Sequence, residues 1–143
     1  MVKRRPTLEL FLDSSVLFTA VNSPLGGSAK LFTLPYVKLI VSKIVLHEVE
    51  KNVRKKLAEY HLNRFFMLVS KLNVISSKPS KTLINKARKV IAEKDSVILA
   101  EAKRSKCDYL ITLDKKDFLK EEVFRFIKPK KILTPKMFFE ILK

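Results

Sequence analysis

Glycine is nearly absent from this chain, with two residues, and both lie in one stretch, "NSPLGG" (Asn22 to Gly27). That stretch breaks a helix. Cysteine occurs once, as Cys107, so no internal disulfide can form. The two histidines, His47 and His61, have no cysteine or histidine at metal-ligand spacing, which excludes a standard zinc site. "HEVEK" is not HExxH and carries no zinc-protease reading. Glutamine is missing altogether. No apolar run approaches the roughly 18 residues of a membrane helix. The basic start, "MVKRRPTLELFLDSS", superficially resembles an export signal. Glu9 and Asp13 interrupt its apolar part, so export is rejected and the cytoplasm is expected.

Acid is also scarce. The chain has 30 Lys and Arg against 14 Asp and Glu, a formal charge of +16. Such an excess repels itself, and a polyanionic partner such as RNA relieves it. A lysine-rich thermophilic surface is the plainer alternative. The 143 residues, 47% of them hydrophobic, suit one globular domain spanning 1–143, without repeats or a linker.

What is present is an alternation of short apolar runs and amphipathic stretches. "LELFL" (Leu8 to Leu12) reads as a first strand, ending on Asp13. "SSVLFTAV" then reads as a helix capped by Ser14 or Ser15. "VKLIVS" (Val37 to Ser42) is a second strand. The helix after it places Ile44, Val45, Val49, Val53 and Leu57 on one stripe. "HLNRFFMLVSKL" continues as helix and "NVIS" is a brief third strand. "PSKTLINKARKVIAE" is helical, opened by Pro79 and Ser80, and "KDSVILAEAKRSKC" is helical from near Lys94 or Asp95. "DYLITL" is a fourth strand, "KKDFLKE" a helical turn, "KKILT" a fifth strand, and "PKMFFEIL" a last helix with Pro135 in its first turn. Alternation of this kind predicts a three-layer α/β/α sandwich around a parallel sheet of four to five strands.

In such a sheet, ligands bind beyond the carboxyl ends of the strands. Asp13 ends the first strand, Asp114 follows the fourth, Asp95 opens a helix, and Glu48 lies about a turn into another. Brought to one edge, the four would repel one another and some would protonate unless a cation intervened. Oxygen-only ligands suit Mg²⁺ or Mn²⁺, ions that activate water and stabilise in-line displacement at phosphorus. Each acid also has an ordinary reading: Asp13, Asp95 and Asp114 as helix caps, Glu48 as a surface helix residue, Asp117 as a partner of a nearby lysine. Asp108 reads as a turn residue, Cys107 as buried, and the phenylalanines as core or subunit contact. "LFLDSS" is also similar to a phosphatase strand with a nucleophilic aspartate, but Ser15 stands where that chemistry needs a second acid.

"LFLDSSVLFTAV", "SKIVLHEVEKNV" and "KDSVILAEAKRSKCDYLITLDKKDF" together resemble the PIN-domain nucleases, in the order that family requires. The resemblance puts the family's four acids on Asp13, Glu48, Asp95 and Asp114, with Glu50 a competitor for the helix position. It makes Ser14 or Ser15 and Thr112 auxiliary hydroxyl contacts, and Asp117 an extra acid toward a second metal ion. Lys103, Arg104, Lys106, Lys115 and Lys116 are expected to grip phosphates beside the acids. "NSPLGGSAKLF" is similar to a bacterial and archaeal branch of toxin-like PIN proteins. The resemblance therefore implies an Mg²⁺- or Mn²⁺-dependent endoribonuclease of the VapC type, leaving 5′-phosphate and 3′-hydroxyl ends, with an antitoxin partner and a homodimer. The alternative is a non-catalytic RNA-binding or RNA-processing module that keeps the fold.

Overall fold

The computed structural model describes residues 7–76 and 78–143. The basic start, residues 1–6, which carries the export-signal resemblance, lies outside them. Five parallel strands form one sheet: β1 (Leu8–Leu12), β2 (Val37–Ser42), β3 (Asn73–Ile75), β4 (Tyr109–Ile111) and β5 (Lys131–Leu133). Their spatial order is β3-β2-β1-β4-β5, so the chain moves outward from β1 in one direction, then returns to build the other half. The strand order thus reverses between β1 and β4, where an open α/β sheet presents its binding crevice.

Helices cover both faces. One group comprises α1 (Ser14–Asn22), α2 (Gly27–Lys30), α3 (Lys43–Lys56), α4 (Tyr60–Val69) and α9 (Pro135–Ile141). In it α1 packs on α2, α3 and α4, and α9 packs on α2 and β5. The second group is α5 (Lys81–Arg88), α6 (Glu93–Arg104) and α8 (Glu121–Ile127), with α6 touching both of the others. A short helix, α7 (Lys115–Phe118), follows β4. Right-handed crossovers on a sheet that grows both ways from its centre require this division. The expected three-layer sandwich is the observed one.

The sheet is apolar because it is covered twice. Leu10, Phe11, Leu12, Leu110 and Ile111 are fully buried, and Val16, Leu17, Val49, Val53, Leu99 and Phe118 close over them.

Local corrections have simple causes. The cap of α1 is Asp13, not either serine: its carboxylate accepts from the Ser14 backbone N–H at 2.6 Å. Ile44 leaves the predicted stripe and is exposed, and Leu57 lies just past the end of α3, half buried. Asp95 caps nothing; α6 begins at Glu93, so Asp95 sits inside its first turn. "EEVFRFI" forms α8, a helix the sequence reading passed over. Asp108 is at a turn, and its carboxylate accepts from the Glu9 N–H at 2.8 Å, tying β4 to β1. Cys107 is buried as expected. Phe65 and Phe138 are buried, whereas Phe66 and Met67 are about half exposed. Among the described residues no helix is long and apolar enough to cross a membrane.

Candidate metal centre at the carboxyl edge of the sheet

Asp13 lies where β1 stops and α1 starts. Its backbone N–H still belongs to the sheet, donating to Ile111 O at 3.0 Å, while its side chain serves the helix. Oδ1 takes the Ser14 N–H; Oδ2 takes the hydroxyls of Ser15 at 2.8 Å and Thr112 at 2.7 Å. Three donors leave about one of its four acceptor sites free. Burial pushes this carboxyl upward; Thr112, Ser15 and Ser14 pull it back, and the negative charge of Glu48 pushes it further up.

Thr112 joins two acids. It is wholly buried, donates to Asp13, and accepts the Asp114 N–H at 3.0 Å through the same oxygen. Ser15 repeats the device one strand across, donating to Asp13 and accepting the Leu113 N–H at 3.1 Å. The ends of β1 and β4 are thereby locked together. Ser14, half buried, points the other way and donates its hydroxyl to Glu48 at 2.8 Å. Glu50 is turned away and pairs with Arg54 at 3.0 Å along the helix surface.

Asp114 caps α7 by accepting the Asp117 N–H at 3.1 Å. That turn draws the two side chains together beside Asp95: one carboxylate oxygen from each of Asp95, Asp114 and Asp117 lies within 4.8 Å of the others. Asp95 is 9% exposed, and its Oδ2 is buried with no hydrogen-bond partner among the described residues. Its carboxyl is pushed up to about 6, by burial first and then by Asp13, Asp114 and Asp117, with Lys94 opposing them. Asp13 thus acts on Asp95, and Glu48 acts on Asp13. Among the described residues the three-oxygen group itself comprises Asp95, Asp114 and Asp117; Asp13 and Glu48 stand outside it, coupled through their charges.

The flanking lysines divide. Lys115 and Lys116 start α7 next to Asp114 and are exposed. Lys103 and Arg104 are in the last turn of α6, and eight residues from Asp95 to Lys103 amount to about 12 Å of helix. Lys103 donates to Phe126 O at 2.5 Å and lies over the Phe126 ring, and Arg104 donates to Lys78 O. The expectation that Lys103 and Arg104 flank the acids is therefore corrected: nearness in sequence to Asp108 and Asp114 is undone by the length of the helix. Lys106 lines a surface depression with Glu9 and Lys38, near the amino ends of the strands. Lys94, beside Asp95, was passed over; its signal was adjacency to an acid at a helix start.

Burial, mutual repulsion and an orphaned acceptor leave this site short of positive charge. Three oxygen donors within 4.8 Å, with no nitrogen or sulfur ligand in the group among the described residues, fit a hard divalent cation. The class these features define is a parallel α/β sandwich with an acidic centre at its switch point. The model of the PIN domain matches residues 10–121, which contain all five acids, and the chain belongs to the PIN-domain family. Comparison with curated proteins finds no match. Solved structures share the fold at low identity. The crystal structure of VapBC2 from Rickettsia felis bound to a DNA fragment from its promoter is 19% identical, with TM-score 0.67, covering 89% of this chain and 98% of that one. DNA-bound VapBC from Salmonella typhimurium is 20% identical, with TM-score 0.69, covering 90% and 99%. VapBC-1 from nontypeable Haemophilus influenzae is 18% identical, with TM-score 0.62, covering 90% and 99%.

Proposed function

We propose that this protein is a divalent-metal-dependent endoribonuclease whose centre is built from Asp13, Glu48, Asp95, Asp114 and Asp117. The observation that carries the reading is Asp95, whose buried Oδ2 has no hydrogen-bond partner among the described residues and which offers a carboxylate oxygen within 4.8 Å of oxygens from two further carboxylates. A carboxylate oxygen removed from water and left without a donor is costly unless a cation is to meet it. Asp95, Asp114 and Asp117 would hold Mg²⁺ or Mn²⁺, with Asp13 and Glu48 completing the site. When bound, the ion supplies Lewis acidity and charge neutralisation for displacement at a phosphodiester.

The protein residues divide the remaining work. Thr112 and Ser15 fix the Asp13 carboxylate by their hydroxyls, so it cannot rotate away from the site. Ser14 fixes the Glu48 carboxylate by its hydroxyl. Lys115 and Lys116 offer phosphate contacts beside Asp114, and the +16 charge draws a polyanion toward the molecule. The VapBC structures support a toxin role, in which a small antitoxin partner would cover the acidic cleft. A homodimer is part of the same proposal.

The test is cleavage of single-stranded and structured RNA with Mg²⁺ or Mn²⁺, comparing the wild type with Asp95→Asn and Asp114→Asn. Asp95 caps no helix, so Asp95→Asn separates catalysis from folding better than Asp13→Asn would. The wild type should cut, EDTA should stop it, and both variants should lose most of the rate. Equal cleavage by all three proteins would mean a contaminating nuclease and end the proposal. Metal-independent, salt-sensitive RNA binding without cleavage would favour the non-catalytic module instead.

A further inference from the structure

A second carboxylate is buried without a full set of partners, and it is remote from the acids above. Glu101, on α6, is 3% exposed, and its Oε1 has no hydrogen-bond partner among the described residues. Its carboxyl is pushed up to about 7 by burial, with the Ser42 hydroxyl drawing it back, and the acids of the metal centre are not among the causes. The side chain faces a cavity of about 290 Å³ formed by α3, β3, α5 and α6. Ile75, Ile84 and Val97 supply apolar walls, and Lys43 and Lys78 stand at it with their charges. The cavity approaches the smallest volumes of ligand pockets, about 300 Å³.

Its position ties it to the metal centre. Phe11 of β1 pairs with Ile40 of β2, and two residues further each chain reaches Asp13 and Ser42. Adjacent strands are about 4.8 Å apart, so the hydroxyl that contacts Glu101 leaves the sheet one strand away from Asp13. Ile75, the last residue of β3, lines the cavity, as Asp13, just past β1, belongs to the metal centre, so both sites draw on the carboxyl ends of strands.

We propose that this cavity is a base pocket, taking one unstacked base of single-stranded RNA that carries an exocyclic amino group. The inference rests on the nuclease reading for its substrate. Single-stranded RNA is read by splaying bases out and bonding their edges. A flat ring fits between isoleucine and valine walls, the amino group donates to Glu101 Oε1, and Lys43 and Lys78 meet the attached phosphate. Carboxylates accept from such amino groups in nucleic-acid recognition. Uracil is disfavoured because its one donor lies between two carbonyl oxygens, which repel a carboxylate.

The experiment is a methyl NMR titration of the full chain in EDTA with AMP, CMP, GMP and UMP. Saturable shifts of Ile75, Ile84 and Val97 methyls are expected with the first three, and at least about tenfold weaker binding of UMP. Glu101→Leu should bind all four alike, and Glu101→Gln should narrow the gap while keeping the side chain's shape. The wild-type comparison needs no variant, so a misfolded mutant does not rescue or sink the idea. Absent shifts at these methyls, UMP binding as tight as CMP, or an unchanged preference in Glu101→Leu would overturn it. Metal-dependent cleavage is read separately: base binding without cleavage removes the nuclease reading and leaves the pocket, and cleavage without base binding does the reverse.

Discussion

Replacing Glu101 by glutamine gives a stability change whose pH dependence follows from the structure. The glutamate carboxyl ionises near 4.5 when free and is pushed up to about 7 in the fold. Between these values the unfolded chain has released a proton that the folded chain keeps, so stability falls as pH rises through this window. Below 4.5 both states are protonated, and above 7 both are ionised, so the loss then stays constant. The difference, 7 − 4.5 = 2.5 pH units at about 1.36 kcal/mol each, is on the order of 3 kcal/mol. Glutamine does not titrate, so the variant lacks this component while filling almost the same space. Urea denaturation of both proteins at pH 4.5 and pH 8.5 isolates it, because all other groups titrate alike in the two. The Glu101→Gln variant should gain about 3 kcal/mol relative to wild type between the two conditions. Parallel stability curves would refute the reasoning, showing that the carboxylate is hydrated or paired and that Oε1 is not an orphan.

Three further outcomes test the rest of the site. Thr112→Val removes a hydroxyl that donates to Asp13 and accepts from Asp114, and should cost about 2–4 kcal/mol in urea denaturation. Mn²⁺ at a hundredfold over its Kd should stabilise the wild type by about 2.7 kcal/mol, of order 10 °C in Tm, and the Asp95→Asn/Asp114→Asn double variant hardly at all by thermal shift. Lys115→Ala/Lys116→Ala should flatten the salt dependence of RNA binding by about 1.4 in log–log slope, while Lys103→Ala leaves it unchanged because its ammonium is engaged at Phe126.

The strands were legible where apolar residues ran without interruption. β1 and β2 match the sequence reading residue for residue, because a doubly covered parallel strand leaves no polar face to blur it. α8 was not legible: Lys120 makes no side-chain cap, and "EEVFRF" between charged stretches looks like a continuing turn. Around the site, separate acids could be placed at strand ends, but their pairing could not. That Asp117 joins Asp95 depends on Asp114 capping a four-residue helix, a bond within one turn that no periodicity records. Glu101 was invisible for a different reason. In "LAEAKR" it resembles any exposed helical glutamate, and only the packing of α6 against α5 and α8 in the folded chain removes it from water.

The two orphaned carboxylates differ in what surrounds them, and the difference sorts their chemistry. Asp95 sits in the first turn of a twelve-residue helix, where the partial positive charge of the helix end favours an anion. Yet its carboxyl is still pushed upward, by burial first and then by the negative charges of Asp13, Asp114 and Asp117, against which Lys94 alone pulls down. A neutral donor such as an amide could bond Asp95 but would leave that repulsion in place; only added positive charge removes it. Glu101 has no such neighbours: burial alone raises it, and the Ser42 hydroxyl already relieves part of the cost. One further N–H donor would complete it without any cation. On the proposed reading, an RNA strand drawn in by the lysines would meet two unlike demands, charge at Asp95 and a hydrogen-bond donor at Glu101. Phosphate accompanied by a divalent ion would answer the first, and the amino edge of a base the second.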